Sequence, residues 1–410
     1  MSYASQRERG KLLVPHRKRK DYFHLPNGKL SKVPALACGP RYCQFKFALS
    51  SIFFAFLSKN ISAFDSGSGW AYFQTAMNTL DIRPEKPWLA PLAGYSDLPF
   101  RMLCRGYGAA VTNTEMVSAK GLFYMNRGTT NLLDTHPNDE PLVLQLFGAE
   151  PEIFEAAMDK VLEMGFRFFD LNAGCPVRKV AKSGSGSRLL EDPDRLCALA
   201  EVMVRKAGPG RVGVKTRLGW ERGLDVFVDV GRRLEDLGVA WLTLHPRYGK
   251  QMFMGDADWS RLAELKRAVS IPVVGSGDIY TADDGVRCLR ETGIDAVMFA
   301  RGAMFDPAVF ERFHALLRGE EPPARTGAHL GAIVNRHIRL TRDLDGTERA
   351  FRKLRSFIPR YAKGLRDIRI LRSELAACET WEALESAAAR IADMIPADPG
   401  RFDPSEIIPS

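Results

Sequence analysis

Several familiar patterns are missing from this sequence, and each absence excludes a class. There is no C-x-x-C pair, and the seven cysteines are an odd number spread along 410 residues. A zinc ribbon and a disulfide framework are therefore excluded, and a reducing cytoplasm fits best. His16, His24, Cys38 and Cys43 form a grouping whose spacing matches no standard metal site, so no metal is expected. The most apolar run of the first segment, FALSSIFFAFL at 47–57, is too short to span a bilayer, and no membrane insertion is expected. The first strand signal is followed by PLAGYSDLP instead of G-x-G-x-x-G, which argues against an open dinucleotide-binding sheet. Acidic residues are scarce at the start of the chain. Residues 1–76 hold 12 Lys and Arg against Glu8, Asp21 and Asp65, which accounts for the whole net charge of +9 and leaves the remaining chain neutral. Any nucleic-acid contact by that neutral body must use a local basic surface.

Residues 1–76 show no sustained helical or strand period and read as a basic, disordered extension. Met77 stands just before the first clear strand signal. Two expectations follow: translation starts at Met77, or the preceding residues are a targeting extension. From Trp88 the pattern becomes regular. Short apolar runs end in Gly or polar residues and precede amphipathic stretches: WLAPLAG, AAVTNTEM, PLVLQLFG, FRFFDLNAG, VGVKTRLG, WLTLHPR, IPVVGSGDI and AVMFARGA. Eight such alternations predict a (β/α)8 TIM barrel over 77–319. After the linker EEPPART at 320–326 only helical patterns remain, which predicts a small all-helical domain over 326–410.

A barrel of this kind carries its active site at the C-terminal ends of its strands. The polar residues expected there are Gln145, Asn172, Cys175, Lys215, Arg217, His245, Asp278 and Arg301. Cys104, Cys197, Cys288 and Cys378 fall in predicted helices and read as core. Cys175 differs, because its Gly-Cys-Pro turn beside a Gly/Ser loop exposes a thiol where a ligand can reach it. An ion pair with Asp170 is the alternative role for Lys215, and a buried hydrogen-bonded ring is the alternative for His245. GSGD and ARGA end the last two strands, where barrels commonly hold a phosphate.

These residues carry a resemblance. APLAG at 90–94, QLFG at 145–148, DLNAGCPVRKVAKSGSGSRLL at 170–190, VKTRLGW at 214–220, LTLHPR at 242–247, IPVVGSGDI at 271–279 and MFARGAM at 298–304 resemble, in order, the motif series of the tRNA-dihydrouridine synthases. The resemblance implies an FMN-binding barrel with a helical tRNA-binding domain, and NADPH-dependent reduction of the uracil C5=C6 bond. It implies that Pro91, Leu92, Ala93, Gln145, Lys215 and His245 lie on the flavin. Ser276, Gly277, Asp278, Ala300 and Arg301 would surround its phosphate, and Asn172 and Arg217 would hold the uracil. Leu92, Ser276 and Ala300 stand where the family usually has Met, Asn and Gly.

Cys175 is the expected proton donor to C5, and the loop KSGSGS is expected to close over an extracted base. From Arg349 to Arg372 nine basic residues face Asp367 alone, and Arg352, Lys353 and Arg355 among them are expected to contact tRNA phosphate. A monomer is expected. A flavin barrel acting on a free small molecule is disfavoured by the basic tail, and an inactive tRNA-binding protein by the retained Asn172, Cys175, Lys215 and His245.

Overall fold

The computed structural model describes residues 79–366 and 368–395, so the basic extension, Met77 and residues 396–410 lie outside it. Nine parallel strands form one sheet: β1 (Trp88–Leu89), β2 (Val111–Asn113), β3 (Val117–Ser118), β4 (Leu142–Phe147), β5 (Phe168–Ala173), β6 (Val212–Arg217), β7 (Trp241–His245), β8 (Val273–Gly275) and β9 (Ala296–Phe299). β1 pairs with both β2 and β9, and β2 pairs onward with β4. That closes eight strands into a barrel, with β3 a two-residue continuation of the second run against the end of β4. The (β/α)8 expectation holds, although the first predicted run contributes only two paired residues.

Eight helices cover the outside: α1 (Leu98–Gly106), α2 (Ala119–Phe123), α3 (Pro151–Glu163), α4 (Pro193–Ala207), α5 (Phe227–Asp236), α6 (Ser260–Ala268), α7 (Ala282–Thr292) and α8 (Val309–Leu317). Their starts follow local capping chemistry. The Asp97 carboxylate accepts from the Phe100 N–H, and Thr281 and Asp284 form a reciprocal capping box.

Side chains alternate along each strand, so closure sorts them into two sets. Leu144, Leu146, Phe169, Leu171, Val214, Leu242 and Leu244 pack outward under the helices. Val143, Phe168, Trp241, Val274, Ala296 and Met298 plug the interior with Trp88 and Val111. Continuing inward by the same period of two, Gln145 pairs with Asp170, Asn172 with Lys215, and Arg217 with His245. The polar strand ends therefore share one mouth above an apolar plug.

Four helices follow the linker: α9 (Gly327–Leu344), α10 (Glu348–Tyr361), α11 (Ile368–Ala377) and α12 (Trp381–Ala389). α9 packs along α1, and an aromatic seam of Phe100, His337, Phe357 and Tyr361 joins the helical unit to the barrel. Among the described residues no helix is long and apolar enough to cross a membrane, and no group of three metal-ligating side chains occurs.

Candidate active site

The Cys175 turn is built by its neighbours. Oδ1 of Asn172 accepts the backbone N–H groups of Cys175 (2.9 Å) and Gly174 (3.2 Å), while Nδ2 donates to Gln145 at 2.7 Å. Gln145 in turn donates to Asp170 at 2.6 Å. From the other side Arg217 donates to the Gly174 carbonyl at 2.8 Å. Below the turn, Ser187 donates its N–H (3.0 Å) and its hydroxyl (3.1 Å) to the Cys175 carbonyl. Gly186 has φ +64°, and a Cβ there would lie 2.5 Å from that same oxygen.

Two expectations change here. Ser185, Gly186 and Ser187 are buried, so this half of the Gly/Ser loop packs as a brace under Cys175, while Lys182 and Ser183 are exposed. Asn172 has its carbonyl oxygen committed to the turn, which makes it the anchor of the thiol's backbone. The thiol itself is half-buried, and that burial pushes its pKa up against the opposing N–H of Val177 and charges of Arg217 and Lys215. It remains a protonated acid at neutral pH. Cys104, Cys197, Cys288 and Cys378 are buried as expected, the last just beyond α11.

Lys215 makes no direct ion-pair contact with a carboxylate among the described residues, although the Asp170 charge still acts on it from a longer distance. Burial, with Arg217 adding, lowers the Lys215 pKa against the opposing pull of Asp170, and burial raises that of Asp170 against the Gln145 bond and the Lys215 charge. Arg217 is enclosed, bonding the carbonyls of Tyr248 (2.9 Å) and Met252 (2.7 Å), and burial followed by the Arg247 charge brings its pKa down to about 9.

His245 lies 3.1 Å from Nη1 of Arg247. A guanidinium only donates, so Nε2 accepts and the proton of the neutral ring is on Nδ1. Burial and the charges of Arg217, Lys215, Arg247 and Arg301 hold His245 far below the usual imidazole range, which keeps it neutral.

The ends of β8 and β9 meet beside this ring. Arg247 donates to both oxygens of Asp278, at 2.9 and 2.6 Å, and Arg301 donates to Oδ1 at 2.9 Å. Burial works to raise the Asp278 pKa, but these bonds, the Ala257 N–H and both charges hold it below the usual carboxylate range. The carboxylate thus organises two arginines. Ser276 is buried, and Gly277 has φ +105° with its carbonyl bonded to the Trp259 indole at 2.9 Å. A Cβ on Gly277 would meet His245 at 2.7 Å. Ala300 precedes the short helix Arg301–Phe305. Across the mouth, Leu92 donates its N–H to Ser96 at 2.9 Å, and the Pro91–Leu92–Ala93 bend follows the end of β1.

The mouth fits a flavin carrying a phosphate. Burial and neighbouring cations weaken the charges of Lys215, Arg217 and Arg301, with Arg217 acting on Lys215, Arg247 and Arg301 on Arg217, and Arg247 on Arg301; Asp278 beside Arg301 is already shared with Arg247, and Gly277 leaves a cradle that any side chain would fill.

Sequence reasoning passed over Arg247, although it lies within LTLHPR; the signal was the second cation two residues from His245. It also passed over Phe253, whose ring stands 5.5 Å from both the Arg217 and Arg301 guanidinium carbons. The three tail residues separate. Arg352 is exposed beside Glu348, Lys353 pairs with Asp97, and Arg355 donates to the Cys378 carbonyl while lying over Phe351. Only Arg352 of these presents its charge to solvent. Arg349, Arg366, Arg369 and Arg372 are exposed as well.

A family model described as Dihydrouridine synthase (Dus) matches residues 88–395. The probable tRNA-dihydrouridine synthase 1 of Synechocystis sp. is 36% identical over 291 residues, covering 70% of this chain and 80% of that protein. The tRNA-dihydrouridine synthase B of Pseudomonas aeruginosa is 32% identical over 301 residues, covering 73% of this chain and 90% of that one. With the thiol turn, the cationic mouth and the helical tail in place on a closed barrel, the chain belongs to the dihydrouridine synthase family of flavin-dependent oxidoreductases.

Proposed function

We propose that this protein reduces the C5=C6 bond of particular uridines in tRNA to 5,6-dihydrouridine, as a cytoplasmic monomer using FMN and NADPH. The observation that carries this reading is Cys175: a thiol kept protonated by burial, on a turn braced from three sides, in a mouth lined by cations. Pro91, Leu92, Ala93, Gln145, Lys215 and His245 would lie against the flavin ring, and the backbone of Ser276, Gly277, Asp278 and Ala300 with the Arg301 side chain would hold its phosphate. When bound, the flavin supplies hydride to C6 of the base.

Hydride arrival places negative charge on C5 and O4 of the uracil. Lys215 and Arg217, neither paired with a carboxylate, stabilise that charge in a site shielded from water. Cys175 then delivers its proton to C5. The thiolate left behind accepts the Val177 N–H and faces the Arg217 and Lys215 charges, which favour it once formed. Asn172 and Arg217 frame the uracil by fixing the Cys175 turn from both sides. His245, neutral with its proton on Nδ1, offers a donor without adding a charge. Outside the mouth, Arg349, Arg352, Arg366, Arg369 and Arg372 supply exposed cations for the RNA backbone.

The test uses tRNA lacking dihydrouridine, NADPH, and protein whose released flavin is identified by mass. Nucleoside mass spectrometry is expected to detect dihydrouridine with wild type. Cys175→Ala is expected to keep its flavin and lose roughly 100- to 10,000-fold in product formation. Product at the wild-type rate from Cys175→Ala would reject the assigned acid, and none from wild type would reject the function.

A further inference from the structure

Two turns of α10 grip the barrel beside the bend at residues 91–93. Lys353, Phe357 and Arg360 recur at helical spacing on the face turned toward residues 94–97. Lys353 pairs with Asp97, the N-cap of α1, and its Nζ is also 3.8 Å from Glu115. The other carboxylate oxygen of Glu115 accepts the N–H of Gly94, whose φ is +80°. Arg360 donates to the Tyr95 hydroxyl at 2.7 Å and lies over its ring, and that ring packs edge-on against Phe357. Tyr95 and Ser96 in turn bond the Leu92 carbonyl at 2.8 and 2.9 Å. Through Tyr95 and through Gly94 with Glu115, the segment that follows the bend Pro91–Leu92–Ala93 is thus tied to Arg360 and Lys353 of the helical unit, while Ser96 ties it to Arg101 of the barrel.

We propose that Lys353 and Arg360 are positioning residues for the flavin, acting through Glu115 and Tyr95 on the bend at 91–93. This rests on the reading that the bend walls a flavin. Lys353 is then no phosphate ligand, despite its place in the basic run. Its charge is only 25% exposed and is answered by two barrel carboxylates. Arg349 and Arg352, less than two turns earlier on α10, are exposed. One helix therefore carries cations for RNA at its start and the flavin wall's anchors further on.

The experiment titrates FMN and tRNA separately into stripped and flavin-loaded protein, following flavin fluorescence and RNA anisotropy, for wild type, Lys353→Met, Lys353→Arg, Glu115→Gln and Arg352→Ala. Lys353→Met and Glu115→Gln are each expected to weaken FMN binding about tenfold and to shift the bound-flavin absorbance, because the first leaves Asp97 and Glu115 without their shared cation and the second loosens Glu115 from Lys353 and from the Gly94 N–H that borders the bend. Their tRNA affinity should change less than about twofold, while Lys353→Arg restores flavin binding. Arg352→Ala should give the reverse pattern. Glu115→Gln leaves α10 untouched, so it decides the matter should Lys353→Met unfold. Wild-type FMN affinity and spectrum in folded Glu115→Gln, or a loss of tRNA affinity in Lys353→Met matching that of Arg352→Ala, would overturn the proposal. A wild-type protein that binds no flavin would instead overturn the functional reading on which it rests.

Discussion

Replacing Gly186 by alanine perturbs the proposed acid without touching it. Gly186 sits at φ +64°, where an L-residue costs roughly 1 to 2 kcal/mol. The added Cβ would also stand 2.5 Å from the Cys175 carbonyl oxygen and 2.9 Å from Val180 Cγ1. Contacts that short force backbone movement, and overpacking of this kind costs about 1 to 3 kcal/mol more. The oxygen that must give way belongs to the residue carrying the thiol, and a shift of roughly 1 Å at a reacting group costs on the order of 100-fold in rate. Gly184 provides the control. Its φ is +72°, but a Cβ there meets Ala149 at 3.5 Å and Arg195 at 4.0 Å, both ordinary contacts. Gly184→Ala should therefore carry the conformational penalty alone, and the difference between the two variants isolates the pressure on Cys175. Urea unfolding of the holoenzymes measures the stability loss. Single-turnover mixing of reduced enzyme with tRNA measures the chemistry, and flavin reduction by NADPH should stay at the wild-type rate in both. Equal stability and equal turnover of the two variants would refute the brace.

Asp278→Asn removes the charge that neutralises Arg247 and Arg301, and with Arg247 enclosed the loss should be about 3 kcal/mol of unfolding free energy. A loss under about 1 kcal/mol in urea melts would contradict that role. His337 is fully enclosed and bonded to the Tyr361 hydroxyl at 2.9 Å, and burial lowers its pKa from 6.5 to about 4. The fold holds the neutral ring, so this contribution is complete above pH 6.5 and is lost as pH falls toward about 4, amounting to about 3 kcal/mol. His337→Gln should flatten the wild-type pH dependence over that window by about one proton, and an unchanged slope would place the titration elsewhere. Replacing Arg366, Arg369 and Arg372 together by alanine should reduce the slope of log K against log salt for tRNA by about 2, read by anisotropy between low and moderate salt. An unchanged slope would remove these three from the RNA surface.

The barrel and the strand-end residues were legible because both follow from one period. Alternation in a closed parallel barrel sends Gln145, Asn172, Lys215, Arg217 and His245 to the same mouth whatever the helices do. Arg247 was not legible in the same way. It lies beyond the end of β7, and the parallel pairing of β7 with β8 is what brings Asp278, from the loop after β8, within reach of it. The Gly/Ser loop misled for a related reason. Small polar residues read as mobile when nothing is known to cover them, yet the Ser183 and Ser185 hydroxyls bond each other at 3.1 Å and Ser187 bonds the Cys175 carbonyl. In the tail a run of charge gives number without direction. Docking of α10 decides that Lys353, Arg355 and Arg360 turn inward while Arg349 and Arg352 stay in solvent. The interposed Phe351, Leu354, Phe357, Ile358 and Tyr361, all buried, were the hint of an internal face.

The mouth holds four cations, and their arrangement suits the proposed acid, a thiol of raised pKa. Arg301 and Arg247 share Asp278 near the ends of β8 and β9, while Lys215 and Arg217 stand unpaired at β6 beside Cys175, with neutral His245 between the two groups. The first pair suits a resident anion such as the flavin phosphate. The second awaits an anion that exists only during reaction, the charge on C5 and O4 of the reduced uracil. Were Cys175 ionised beforehand, its thiolate would occupy the field of Lys215 and Arg217 and there would be no proton to give. Burial prevents this by penalising the charged sulfur until the substrate's own negative charge has formed and been discharged onto the thiol's proton. The rigid brace serves the same end, since a mobile turn would let water reach the sulfur and bring its pKa back toward that of an ordinary exposed thiol.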